Sequence, residues 1–298
     1  MNNNNKGGIV MQKHIQRFIE DMELHGFCQR TVDGYTRSVR QLEKHYNKPA
    51  DKITEEEIRQ YFLYNKDVRK WAAATCTIAL CGIKFFYEKS LLKEWNIFKL
   101  ARPKREHKLP SILSKKEVKT IFDNVKMDYH RVCLIGIYSL GLRLQEGTHL
   151  ENADIDSDRM FVHIRNGKGN KDRFVPLPKR TLEIFREHWR THRNSKLLFP
   201  APGRGQIHMP TAEKSLPYPS IQTAFHKALQ KTKILKHASV HNLRHSYAVH
   251  LLEAGVSMRY VQEYLGHSDP RTTMVYLKLI NISLQEPIKL INKVMADL

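Results

Sequence analysis

Five short stretches of the chain carry residues suited to handling phosphate. In Ser239-Val-His241-Asn-Leu-Arg244-His245, Ser239 is a natural helix N-cap, which puts His241 and Arg244 on one face of the first turn. That end of a helix carries partial positive charge and free N–H groups, so it attracts anions. A guanidinium can hold two phosphate oxygens at once. Arg143, in Gly141-Leu-Arg143-Leu-Gln-Glu146, follows an apolar helix where the chain turns, and Glu146 is placed to fix its guanidinium. Lys168 stands on the two-glycine turn Gly167-Lys168-Gly169. In Gly266-His267-Ser-Asp269-Pro270, Asp269 can cap and Pro270 suits the first helical position. Tyr276 lies within the helix that follows. Taken singly, each has an ordinary reading: a buried histidine on a surface helix, a structural ion pair, a solvated turn, a half-buried aromatic beside Val275.

The composition narrows the partners. The 298 residues hold 50 Lys and Arg against 30 Asp and Glu, a net charge of +20. Such an excess calls for an anionic partner, most commonly nucleic acid, through phosphate neutralisation and counterion release. The charge is spread along the chain, whereas a membrane-surface binder concentrates it on one amphipathic helix. No run of eighteen apolar residues exists to span a bilayer, and the Asn-rich start lacks a signal-peptide core. Hydrophobic residues make up 41%, enough for a packed core. Cys28, Cys76, Cys81 and Cys133 form no C-x-x-C pair and read as reduced thiols of a cytosolic protein. His237, His241 and His245 fall at i, i+4, i+8, but without an H-E-x-x-H motif, so no metal is assigned.

The joint order and spacing of the five stretches resemble the tyrosine recombinase (phage integrase) family over essentially all of residues 9–280. The match is densest in residues 141–146, 167–176 and 241–276. The stretches His241-Asn-Leu-Arg-His-Ser-Tyr-Ala-Val-His-Leu-Leu-Glu-Ala-Gly255 and Tyr264-Leu-Gly-His-Ser-Asp-Pro-Arg-Thr-Thr-Met-Val-Tyr276 look like the Xer and integron-integrase branches. The Pro-rich loop 200–219 leans towards integron or mobile-element integrases.

That resemblance implies a site-specific DNA recombinase or integrase working through a 3′-phosphotyrosyl link. Tyr276 would be the nucleophile, Arg143 and Arg244 the phosphate clamp, and His267 a phosphate-positioning group. His241 would be proton acceptor or phosphate ligand, and Glu146 a support behind the arginines. Lys168 would protonate the departing 5′-oxygen, with Lys171 as its competitor on the same turn. No cofactor and no metal is implied, and the sequence holds neither a Walker A loop nor an Mg²⁺-binding acidic cluster. The expected partner is double-stranded DNA with specific recombination sites, bound by a tetramer in the cytoplasm, on the nucleoid. Two rivals are a type IB topoisomerase-like strand transferase and a non-catalytic DNA-binding accessory protein.

The elements that must position these residues are mainly helical. The expected fold is mainly α with a small antiparallel β-sheet: a helical, SAM-like core-binding domain followed by an α+β catalytic domain. Residues 1–8 read as a disordered tail. Residues 9–98 read as four helices, about 15–22, 31–46, 55–64 and 72–88, the third opened by the capping box Thr54-x-x-Glu57. Residues 99–111 are a basic, proline-bearing linker. Residues 112–298 open at a second capping box, Ser114-x-x-Glu117, and continue through helices to Val125 and from His130 to Leu140. A hairpin of residues 160–165 and 172–177 follows, then helices near 181–192, 219–232, 240–254, 257–265 and 271–279. A tail, Gln285 to Leu298, sets Ile288, Ile291 and Met295 on one helical stripe; in relatives such a segment docks on a neighbouring subunit.

Overall fold

The computed structural model describes residues 4–100, 109–165, 172–203, 208–267, 269–277 and 279. The chain divides into two compact units, residues 1–107 and 108–298, and the division falls in the basic stretch between them.

The first unit is built from helices α1 (Asn4–Leu24), α2 (Gln29–Tyr46), α3 (Glu55–Asp67) and α4 (Ala73–Phe85), with a short α5 (Ile97–Leu100). α1 takes in Asn4 to Gly8, which sequence patterning leaves in an unstructured tail. Thr54 opens α3 as its residue types dictate: its hydroxyl accepts from the Glu57 N–H while Glu57 accepts from the Thr54 N–H. α4 runs on into one π-helical turn, Phe86–Ser90. Phe18, Met22, Val39, Leu42, Ile58, Tyr61, Ile83, Phe86 and Tyr87 close the core, with Phe18 edge-on to Phe86. α5 is a single turn that apolar periodicity does not signal; the Glu55 carboxylate fixes it by accepting from the Ile97 N–H at 2.8 Å.

The second unit holds α6 (Lys115–Asp123), α7 (Asp128–Ser139), α8 (Leu144–Thr148), strands β1 (Ile155–Asp156), β2 (Phe161–Ile164) and β3 (Arg173–Pro176), and helices α9 (Lys179–His192), α10 (Tyr218–Gln230), α11 (Val240–Glu253), α12 (Met258–Leu265) and α13 (Pro270–Leu277). α7 buries Val132, Cys133, Leu134 and Ile137 at the centre of the core, which its apolar composition requires. The sheet is antiparallel in the order β1-β2-β3, with Ile164 opposite Arg173 and Phe161 opposite Pro176. Alternation turns Val162, Ile164, Arg173 and Val175 inward and leaves Phe161 and Phe174 exposed. The tip of this hairpin, residues 166–171, and the tail beyond residue 279 lie outside the described residues. A smaller cluster of Tyr247, Ala248, Val249, Val261, Leu265 and Tyr276 ties α11, α12 and α13 together.

Candidate active site

Everything described below belongs to the second unit. The turn after α7 sets the geometry. Gly141 has φ +60°, and a Cβ there would sit 2.4 Å from the Tyr247 ring, so only glycine fits. The turn delivers Arg143 to the N-cap of α8, where its N–H donates to Glu146 Oε2 at 2.8 Å and its Nη1 donates to Oε1 at 2.6 Å. Its Nη2 reaches the Gly266 carbonyl at 3.4 Å.

Glu146 is the hub. Arg173, inward on β3 and 8% exposed, grips the same carboxylate with both terminal nitrogens, at 3.0 and 2.7 Å, and donates from Nε to the Tyr264 carbonyl. Arg244 on α11 is 1% exposed, with Nη1 3.8 Å from Glu146 Oε2. Its fork donates to the carbonyls of Gly141 and Leu265, the ends of two other elements. Burial opposes ionisation of Glu146, but the hydrogen bonds and charge of Arg173, joined by Arg143, outweigh it and hold the carboxyl down at about 2. Burial and the charge on Arg143 pull Arg244 below its usual range, against the attraction of Glu146, yet a guanidinium stays protonated at neutral pH.

Three imidazoles face this cluster. The N-cap N–H of Ser239 donates to Asn242 Oδ1 at 2.8 Å and starts α11, so His241 and Arg244 lie on the first turn. His241 is the exposed one of the three; partial desolvation, then the charges of Arg244 and Arg143, lower its pKa. His267 donates or accepts at Thr273 Oγ1, 2.9 Å from its Nδ1, and lies face-to-face with Tyr276 at a centroid separation of 6.3 Å. Burial and then Arg244 and Arg143 push His267 down to about 3. Tyr276 on α13 is 2% exposed, and its hydroxyl lies 2.8 Å from His245 Nδ1. Burial raises the phenol pKa while Arg244 and Arg143 lower it, and burial prevails.

Arg143, Glu146, His241, Arg244, His267 and Tyr276, drawn from well-separated stretches, are thus brought to one pocket. Lys168 and its competitor Lys171 lie outside the described residues. His237 does not share the face of His241 and His245: it is exposed and precedes the N-cap of α11, so helical spacing does not extend back to it. Among the described residues no group of three or more His, Cys, Asp or Glu is placed to hold a metal ion. Nor is any described helix long and apolar enough to cross a membrane. Two members of the pocket escape sequence reading. His245 is visible there only as a metal candidate, although its i+4 relation to His241 does place it on the same face. Arg173 carries one weak signal, an inward position in an alternating strand.

The model of the phage integrase family matches residues 111–281, and that of the phage integrase N-terminal SAM-like domain matches residues 15–97. An integrase/recombinase of Sinorhizobium fredii is 37% identical over 272 residues, 91% of this chain and 86% of its own length. Tyrosine recombinase XerA of Pyrococcus horikoshii is 28% identical, with 94% of each chain covered. A lambda integrase solved as a tetramer bound to a Holliday junction shares the fold, with a TM-score of 0.70, 15% identity, and 87% of this chain and 77% of that one covered. With one family match on each unit and a relative that shares over a third of its residues, the chain belongs to the phage integrase family and is a tyrosine-type site-specific DNA recombinase.

Proposed function

We propose that Tyr276 attacks a DNA backbone phosphate, forming a 3′-phosphotyrosyl link and freeing a 5′-hydroxyl, and that Arg143 and Arg244 clamp the reacting phosphate. The observation that carries this reading is the convergence of the two guanidinium groups on Glu146, in the pocket that also holds the Tyr276 phenol. A phosphodiester is an anion that repels nucleophiles, and its transition state spreads more charge over the non-bridging oxygens. Guanidinium groups already fixed by backbone carbonyls and a buried carboxylate meet that charge without reorganising. An arginine so placed in phosphoryl transfer is worth on the order of 10³–10⁵ in rate.

His241, the exposed histidine of the pocket, binds the phosphate, and His267 positions it. Lys168 is the acid that protonates the leaving 5′-oxygen, with Lys171 as the competing assignment. The phosphotyrosine conserves the bond energy, so rejoining needs no external source. The partner is double-stranded DNA carrying specific sites. Recombination needs two duplexes and four cuts, so the chain works as a tetramer, a reading supported by the lambda integrase assembly on a Holliday junction. The tail from Gln285 to Leu298 docks on the neighbouring subunit, and the protein acts in the cytoplasm on the nucleoid. Single-duplex strand transfer and catalysis-free binding are not favoured by a family match of this extent.

The test is a suicide duplex nicked beside the crossover site, read as covalent adduct on a denaturing gel. Wild type forms the adduct, while Tyr276→Phe forms none and still shifts the same duplex in a native gel. An adduct that survives Tyr276→Phe assigns the nucleophile elsewhere. Relaxation of a plasmid lacking paired sites, with no recombinant product, would favour the topoisomerase-like rival.

A further inference from the structure

We propose that His245 is the catalytic residue that takes the phenolic proton of Tyr276 during cleavage and returns it during rejoining. The inference rests on the reading of Tyr276 as the nucleophile. A tyrosine cannot attack phosphorus until its proton has somewhere to go. The Tyr276 side chain is 2% exposed, so bulk water is not at hand to receive it. Among the described residues, the one side-chain base within hydrogen-bond distance of the phenol is His245, with Nδ1 2.8 Å from the hydroxyl. With the imidazole proton on Nε2, Nδ1 accepts from the phenol O–H.

The other two histidines of the pocket are committed elsewhere. His267 has its Nδ1 engaged by Thr273 Oγ1, and its ring stacks beside the phenol ring, not at the hydroxyl. His241 stands edge-on to His245 at 4.5 Å between centroids, is exposed, and forms no hydrogen bond to Tyr276. The pair, one turn apart on α11, divides the work: the outer imidazole meets the phosphate and the inner one meets the nucleophile.

The step balances. The Tyr276 O–H bond breaks and its proton passes to His245 Nδ1. The phenolic oxygen forms a bond to phosphorus as the bond from phosphorus to the 5′-oxygen breaks. The leaving oxygen takes a proton from the hairpin lysine. Rejoining runs the same transfers backwards, and the imidazolium reprotonates the phenol.

The charge environment fits this timing. The charged and titratable groups facing His245 are His241 and Arg244 on its own helix, His267 after α12 and Tyr276 on α13. Burial, His241 and Arg244 hold the free imidazole at about 4, so at pH 7 it is neutral and its lone pair is open. A phosphate anion bound on the arginines offsets their field and strengthens the base at the moment the proton moves.

The test uses the full chain in single-turnover adduct formation. Its probe is a nicked duplex selected by covalent capture from a random-sequence library with the wild-type protein. His245→Asn keeps a hydrogen-bond acceptor near the Nδ1 position but cannot take the proton. It is expected to slow adduct formation by about 10²-fold or more at pH 7, with the deficit shrinking towards pH 9 as hydroxide replaces the base. His241→Asn is expected to slow the reaction by a factor that does not change with pH. A His245→Asn rate within about threefold of wild type at pH 7, or a deficit constant with pH, overturns the assignment. Should the variant misfold, the wild-type profile decides: a rate flat from pH 6 to 9 supports a protein base, and one rising about tenfold per pH unit overturns it. An adduct persisting in Tyr276→Phe removes the nucleophile reading itself, which separates that failure from this one.

Discussion

Two glutamates, one in each unit, keep their carboxylates largely out of water, and they behave in opposite ways. Glu43 in α2 is 3% exposed; its Oε1 accepts the Ala50 N–H at 3.0 Å, and its Oε2 is buried without a hydrogen-bond partner. Burial, with Asp51 adding to it, raises its pKa. The Glu146 side chain, 9% exposed, is held near 2 by arginines on both sides. The difference teaches what each core is for. The helical unit is held by apolar and aromatic packing and tolerates a carboxyl that is better neutral. The catalytic unit needs guanidinium groups fixed in a dry pocket, and that requires a permanent countercharge.

The sharpest test of this contrast replaces each carboxylate with its amide and follows hydrogen exchange in each unit. Glu146→Gln leaves buried guanidinium groups short of a countercharge and is expected to destabilise the second unit by about 3–5 kcal/mol. The folded pKa of Glu146 is depressed, so its contribution is complete above the unfolded value and lost as pH falls towards 2. The gap between wild type and variant therefore closes below about pH 4. Glu43 has a raised folded pKa, so its favourable share is present at low pH and lost as pH rises. Glu43→Gln is expected to be neutral near pH 4 and to gain up to about 1 kcal/mol by pH 8. Equal losses in both variants would erase the distinction.

A second pair uses helix-ending glycines. Gly26 has φ +71° and open space around a would-be Cβ, whereas Gly141 meets the Tyr247 ring. Gly26→Ala is expected to cost about 1 kcal/mol from backbone strain alone. Gly141→Ala adds a steric clash, for about 1–3 kcal/mol more, and cuts adduct formation because the same turn carries Arg143. Adduct formation at the wild-type rate in Gly141→Ala would show that the turn does not set the arginine.

The smallest expected effect is also the most even. Thr54→Ala and Ser114→Ala each remove a capping hydroxyl, and each is expected to cost about 1 kcal/mol by chemical denaturation, one in each unit. A loss in only one unit would mean that the other helix start is held by tertiary contacts.

These caps are also where sequence reading succeeds most fully, because their partners lie three residues apart. The long helices follow from apolar spacing, and the hairpin from alternation around a glycine turn. What stays hidden is short or depends on distant partners. α8 has five residues and starts on the Arg143–Glu146 bond, while β1 is two residues that exist only against β2. The π-turn after α4 carries no mark in its residue types. Arg173 meets Glu146 across 27 residues and His245 meets Tyr276 across 31, so neither pairing is written in local spacing. The family pattern supplies Arg143, Arg244, Glu146, His241, His267 and Tyr276, but neither Arg173, which grips Glu146, nor the role of His245 beside Tyr276.

The carboxylate at the hub has one more consequence. Three arginines and one glutamate leave the resting pocket with an excess of two positive charges. A phosphorus centre under attack, flanked by two non-bridging oxygens, carries about two negative ones. The pocket thus holds its surplus of positive charge in place before DNA arrives, and that fixed charge does most when negative charge gathers on the two oxygens it faces.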